Sequence, residues 1–266
     1  MLYFLPDLHI CSRVWKACPQ VTNDPRRLMA VLGDRILADK TKEDKAVLLP
    51  GDVFTGQKVD GNEINIFSTF IRAMRDAGIP VYGIQGNHDF NEKALIAELG
   101  GICLNDSVVE LDGRKIYGVD WRPREQLKEA VALAPEDCIL MVHATLEPWE
   151  PYDGGFDLAL ADIPEHVQHV VAGHVHSAEA VAWQDGKGQC VSLGSLYPCS
   201  IAQSGQHGFW KLGHTDKKFT FVALPGRKIH RFILHESTEL PKLLKLVGLD
   251  AEWPPIIELK YPTAMQ

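Results

Sequence analysis

Ile79-Pro80-Val81-Tyr82-Gly83-Ile84-Gln85-Gly86-Asn87-His88-Asp89 decides how the rest of the chain is read. Its first half is a short apolar run that reads as a buried strand. Its second half sets an amide, an imidazole and a carboxylate side by side on the turn leaving that strand, and a helix is expected to start near Asn91-Glu92. Gly, Asn and Asp are ordinary turn residues, so alone the stretch reads as a polar turn as readily as a site. What separates the two readings is whether other strands end the same way.

They do. Residues 1–5 read as a first strand and run into Asp7-Leu8-His9. Residues 46–49 are continuously apolar, as in a strand buried on both faces, and run into Gly51-Asp52. Residues 139–142 precede His143, and residues 169–172 precede Gly173-His174-Val175-His176. Helical patterns lie between them. Asp24 is expected as an N-cap with Pro25 at the first helical position, and Leu28, Leu32 and Ile36 then share one face. Asn62 opens a second helix with Ile66, Phe70 and Met74 on one stripe and Gly78 closing it. Shorter helices are expected at 93–99 and 126–133. Asp112-Gly113 joins two apolar runs, the strongest short hairpin signal. Past residue 177 the pattern becomes hairpins: 178–183, 189–193, 208–212, 219–224 and 228–234.

Strands alternating with helices and then hairpins predict an α/β fold, a four-layer α/β/β/α sandwich with a short C-terminal extension. The expected division is residues 1–235 as the main domain. Residues 236–266 form an extension, either a partner-docking segment (Leu240, Leu243, Leu244 and Val247 being amphipathic) or a truncated capping segment.

A chain of 266 residues, 45% hydrophobic and 23% charged, has the composition of a soluble globular protein. No apolar run approaches the roughly 20 residues that span a bilayer. The apolar start meets Pro6-Asp7 at once, so a cytoplasmic protein with no membrane partner is expected. Six scattered cysteines without a C-x-x-C pair predict reduced thiols and no disulfide framework. The net charge of −8 argues against a nucleic-acid binder. Against that, residues 205–231 carry Lys211, Lys217, Lys218, Arg227, Lys228 and Arg231 with only Asp216 opposing them.

Ligands of open α/β sheets bind outside the carboxyl ends of the strands, and five strand ends each deliver a carboxylate, amide or imidazole there. Gathering such groups is costly unless something pairs with them, and divalent cations do so. Imidazole plus carboxylate, with no thiolate, suits manganese, iron or zinc. The ligands suffice for two ions about 3.5–4 Å apart, with a carboxylate such as Asp52 between them.

D-x-H, G-D, G-N-H-D, a lone H and G-H-x-H, in this order and after these strands, resemble the calcineurin-like metallophosphoesterase superfamily. The resemblance implies one metal held by Asp7, His9, Asp52 and His176 and a second held by Asp52, Asn87, His143 and His174. It implies that His88 meets the scissile phosphate and stabilises or protonates the leaving oxygen, with Asp89 orienting it. Gly51-Asp52-Val53-Phe54, the Val170-to-His176 run and Leu193-Gly194-Ser195-Leu196-Tyr197-Pro198 are most similar to the SbcD-type DNA repair exonucleases. The chain is short for that group, as a phage-encoded or truncated member would be. Relatives carry a histidine three residues after the shared Asp, where this chain has Thr55.

The implied function is a two-metal DNA exonuclease or endonuclease of recombination or repair, with a hydroxide between the ions as nucleophile. Manganese is the first choice of metal, ahead of iron, zinc or magnesium. DNA, an SMC-type coiled-coil ATPase and a second copy of the chain are the implied partners. Arg122, Arg124, Lys211, Arg227 and Lys228 are candidate phosphate contacts. Trp149, with Tyr152, is a candidate platform for an unpaired base. The alternatives are a small-molecule (nucleotide or cyclic-nucleotide) phosphodiesterase or phosphatase and, third, a metal-free binding scaffold.

Overall fold

The computed structural model describes residues 1–11, 23–89, 94–149, 155–199, 203, 205–233, 247 and 252–260. The first unit runs β1 (Leu2–Phe4), α1 (Asp24–Ala38), β2 (Ala46–Pro50), α2 (Gly61–Asp76), β3 (Val81–Ile84), α3 (Leu95–Glu98) and β4 (Ile102–Cys103). A second unit follows: β5 (Ser107–Leu111), β6 (Arg114–Val119), α4 (Arg124–Val131), β7 (Cys138–His143), β8 (His169–Gly173), β9 (Glu179–Trp183) and β10 (Gly188–Ser192). The chain then adds β11 (Gly208–Leu212), β12 (Thr220–Ala223), β13 (Ile229–Ile233) and β14 (Ile256–Lys260).

Two six-stranded sheets result, ordered β12-β11-β1-β2-β3-β4 and β5-β6-β7-β8-β10-β9. Strands β1 to β4 are mutually parallel, as are β6, β7, β8 and β10, and antiparallel strands sit at the margins. The period of two along a strand sorts the core into layers. Leu2, Phe4 and Leu48 face Ile116, Ile139, Met141 and Val171 between the sheets. Tyr3, Val47 and Leu49 point the other way, onto Leu28, Leu32 and Ile36 of α1 and Phe67, Phe70 and Met74 of α2. Leu140 and Val142 pack outward against Leu127 and Val131 of α4. Each fully buried side chain of this size contributes about 1.5–3 kcal/mol. The molecule is the expected α/β/β/α sandwich.

Local signals set the element ends. Asp112 (φ 55°) and Gly113 (φ 74°) both lie in the left-handed region, as a two-residue β5–β6 hairpin requires. Helix α2 begins earlier than Asn62, because Asp60 accepts from the Asn62 and Glu63 N–H groups and Glu63 answers on the Asp60 N–H. Asp24 is not a cap. Asn23 precedes α1 without a side-chain cap, and the Asp24 carboxylate is taken by Arg227. Strand β13 forms no hairpin; it pairs in parallel with β14, across the division expected at residue 235. Trp253, just before β14, is buried against the first core with the Arg27 guanidinium 3.9 Å from its ring centre. Of the docking segment expected at 240–247 only Val247 is described, and it is buried; residues 240–246 and the helix start at 91–92 lie outside the described residues. No helix among the described residues is long and apolar enough to cross a membrane.

Candidate metal centre

The parallel strands of both sheets point their carboxyl ends at one edge, and the polar residues expected there meet. Asp7 follows β1, Asp52 follows β2, Asn87 follows β3, His143 ends β7 and His174 follows β8. Main-chain bonds stitch these ends together: the Leu8 and His9 N–H groups donate to the Asp52 carbonyl at 3.1 and 3.0 Å. The crowding explains two glycines. A Cβ on Gly86 would lie 2.1 Å from Asp52 Oδ1, and one on Gly173 would lie 2.8 Å from both Asp7 Oδ1 and His143 Nδ1. His9 (φ 42°), Asp52 (φ 49°) and His174 (φ 87°) hold left-handed backbones, a strain of about 1–3 kcal/mol each that is characteristic of functional positions.

Two groups of donors could each hold an ion. Asp7, His9 and Asp52 bring ligand atoms within 4.8 Å of one another, and so do Asp52, His143 and His174. Asp52 belongs to both. Its Oδ2 lies 3.6 Å from His9 Nε2 and 3.4 Å from His143 Nε2. Asn87 Oδ1 lies 3.0 Å from both His143 Nε2 and His174 Nδ1. His176 Nε2 is 3.5 Å from Asp7 Oδ2 and 2.9 Å from His9 Nε2. The Pro50 carbonyl, 2.8 Å from His143 Nδ1, can only accept, so that nitrogen carries hydrogen and Nε2 is turned to the cluster.

The cluster fits cations better than it fits itself. Asp7 Oδ1 and His9 Nδ1 are buried without a hydrogen-bond partner. Full burial pushes the Asp7 carboxyl well above its ordinary range, and the Asp52 charge adds to the push against the pull of His143. Burial drives His9 down to about 3 and His176 down to about 4, leaving both rings neutral with a lone pair to offer. At Asp52 burial acts upward, but His143 and His9 outweigh it and hold the carboxyl low. At His143 burial acts downward, but Asp52 and Asp7 lift it to about 9. A proton on His143 thus supplies positive charge to a site built from anionic and lone-pair donors, the role a divalent cation would fill.

His88 stands at the mouth, its side chain 45% exposed. Its N–H donates to Asp52 Oδ1 at 3.0 Å and its Nδ1 to the Thr55 carbonyl at 3.1 Å, leaving Nε2 4.0 Å from Asp52 Oδ2. Asp89 departs from expectation. Its two oxygens accept from the Gly86 and Val53 N–H groups, both at 2.7 Å, so it clamps two loops while the Thr55 carbonyl orients the His88 ring. Burial and the nearby Asp52 raise the Asp89 carboxyl to about 6.

The expected substrate contacts come apart. Trp149 is buried in the core beneath the second sheet, where no base can stack on it, and Tyr152 lies outside the described residues. Arg227 is sequestered against Asp24 at 2.6 Å, both side chains buried. Lys211 pairs with Asp39 at 3.5 Å, Arg122 with Asp106 at 2.6 Å, and Arg124 lies over the Phe156 ring. Lys228 lines a cavity of about 630 Å³ that also includes Gln203, His207 and His230. Sequence reading missed Gln203, whose amide lies 2.6 Å from His176 Nδ1, and Cys199, whose sulfur joins His9 and His176 as a third donor group. Neither carries a spacing signal.

The family model for "Calcineurin-like phosphoesterase" matches residues 2–178. A DNA double-strand break repair protein Mre11 from Nanoarchaeum equitans is 22% identical over 84% of this chain and 68% of its own length. A UDP-2,3-diacylglucosamine hydrolase from Escherichia coli O81 (strain ED1a) is 29% identical over 42% of this chain and 44% of its own length. Among solved structures, TT1561 of Thermus thermophilus superposes with a TM-score of 0.51 at 11% identity, over 84% of this chain and 97% of that one, a likeness of fold.

Proposed function

The chain belongs to the calcineurin-like phosphoesterase family, and from that premise we propose that it is a two-metal phosphodiesterase that cleaves DNA, as an exonuclease or endonuclease of recombination or repair. The observation carrying the two-metal reading is the membership of Asp52 in both donor groups. The Mre11 relative, similar over 84% of the chain, supports DNA as substrate.

In this reading Asp7, His9, Asp52 and His176 hold one ion, and Asp52, Asn87, His143 and His174 hold the other, with manganese the first choice. When bound, the ions would neutralise the diester and lower the pKa of water for in-line attack. The rest falls to the chain itself. The Thr55 carbonyl fixes the His88 tautomer by taking the Nδ1 hydrogen, which leaves Nε2 as the nitrogen that works on the substrate. Protonated there, His88 donates to the leaving oxygen and ends neutral. Asp89 holds the loop that carries it. Asp52 accepts the His88 N–H on Oδ1 while Oδ2 faces the histidines, so the residue shared by the donor groups also positions the acid.

A small phosphodiester is the second reading. The net charge of −8 and the engagement of Arg122, Lys211 and Arg227 within the chain favour it. So does the cavity beside Gln203, where Lys228 and His230 suit a compact anion. The intact donor set opposes a metal-free scaffold. One assay series separates the three: manganese with linear duplex DNA, single-stranded DNA, bis-p-nitrophenyl phosphate and cyclic nucleotides. DNA degradation that His88→Ala lowers by about 10²–10⁴ is expected. Activity confined to small diesters overturns the nuclease, and inactivity with every metal favours the scaffold.

A cytoplasmic location, a second copy and an SMC-type coiled-coil ATPase are proposed with the nuclease. So is a partner-docking extension after residue 235. A chain ending at 235 that unfolds would show the extension to be part of the main fold, since it removes β14 and the buried Trp253.

A further inference from the structure

We infer that Cys199 is a ligand of the ion held by His9 and His176, which makes that half of the centre a thiophilic site; this rests on the metallophosphoesterase reading. The cysteine sulfur and one nitrogen from each of the two rings all lie within 4.8 Å of one another. A thiolate and two imidazoles are a donor set that zinc takes.

The loop bearing Cys199 is held to this edge by several bonds. Asp7 bridges Ser195, and the Leu196 N–H donates to the Asp7 carbonyl at 2.9 Å. The Tyr197 hydroxyl donates to the His9 carbonyl at 2.5 Å. Gln203 then ties the cysteine to the ring beside it. Its Oε1 accepts the Cys199 N–H at 2.7 Å while its Nε2 reaches His176 Nδ1 at 2.6 Å. The thiol donates to the Tyr197 carbonyl at 3.5 Å, a bond that an ion would replace.

Independent of the cysteine, buried atoms of the same centre lack partners. Asp7 is fully buried with Oδ1 unsatisfied and Oδ2 3.5 Å from His176 Nε2. His9 is 4% exposed with Nδ1 unsatisfied. On binding, the S–H bond breaks, the metal–sulfur bond forms and the proton passes to solvent.

The two halves of the centre then differ in kind. The half made by Asp52, Asn87, His143 and His174 offers only nitrogen and oxygen and suits manganese, whereas a thiolate draws zinc or cobalt to the other. That revises the expectation of a thiolate-free site.

Cobalt(II) titrated into the metal-free full chain tests this by absorption. The wild type is expected to show a near-ultraviolet sulfur-to-cobalt charge-transfer band together with visible d–d bands. Cys199→Ser and Cys199→Ala should lose the charge-transfer band, keep d–d bands from bound cobalt and bind zinc with less advantage over manganese. Cys11→Ser should keep the charge-transfer band. Cobalt bound in the wild type with d–d bands alone makes Cys199 a packing residue and overturns the inference while leaving the metal centre intact. A charge-transfer band that survives Cys199→Ser overturns it too. No cobalt bound by the wild type overturns the metal reading itself, and the inference with it.

Discussion

The strand-end motifs and the basic stretch at 205–231 behave in opposite ways. Asp7, Asp52, Asn87, His143 and His174 are spread over most of the first two-thirds of the chain and converge within a few ångströms. Lys211 and Arg227, only sixteen positions apart, take separate partners, Asp39 and Asp24. Parallel strands joined by crossovers bring their carboxyl ends to one edge however far apart they are in the chain. Hairpins send residues close in sequence to different faces. Proximity in sequence is therefore poor evidence of a shared surface, and repetition of a strand-end pattern is better evidence of a shared site.

The largest effect should come from the convergent region. Asp7→Asn is expected to remove bound metal, read by plasma emission, and to drop turnover to background. The urea midpoint of the metal-free protein should not fall, because a neutral amide replaces a carboxyl that burial already disfavours in its charged form. A large loss of stability would mean that Asp7 serves the fold first.

Arg227→Met should do the reverse. Removing one partner of a buried pair destabilises by about 3–5 kcal/mol, and metal stoichiometry and turnover of the folded protein should be unchanged. If DNA cleavage fell at unchanged stability, Arg227 would join the site and the contrast would fail.

His169 sharpens the comparison on a single strand, since it opens β8 and His174 follows its end. Burial, with Arg114 nearby, holds His169 down to about 4, and its Nδ1 accepts the Gln189 N–H at 3.0 Å. Between about 4 and 6.5 the unfolded chain binds the proton that the folded one refuses. Its stability contribution is therefore complete above about 6.5 and lost as pH falls through about 4. His169→Asn keeps an acceptor without titrating, so the urea midpoint should depend less on pH in that window; an unchanged slope counts against the assignment.

Lys211→Ala should have the smallest effect. Its partly exposed pair with Asp39 is worth about 0–1 kcal/mol. The salt dependence of DNA binding should be unaltered, whereas loss of a phosphate contact would lower the salt slope by about one.

Much of the fold could be read because apolar periodicity is local. The stripes of α1 and α2, the continuous run of β2 and the Asp112-Gly113 turn each declare themselves within a few residues. Elements that depend on partners were not legible. The two-residue β4 exists through its pairing with β3, and β14 through its pairing with β13. The same division holds at the candidate centre. The polar residues that end strands announce themselves, each after an apolar run. Gln203 and Cys199 sit on a loop whose position depends on bonds to Asp7 and His9. Trp149 and Arg227, candidate contacts by residue type, are buried, and burial is a property of what surrounds a residue.

By itself, then, the sequence determined the order of strands and helices, the sandwich they build and the polar residues at the strand ends, since each follows from side-chain pattern over a few turns or pleats. Only the tertiary structure decided how those residues divide their work: that Asp52 stands in both donor groups, that the Thr55 carbonyl holds His88 while Asp89 holds the loop, and that a cysteine lies beside His9 and His176. Those assignments depend on distances between atoms remote in the chain, which sheet order and burial set and no local pattern encodes.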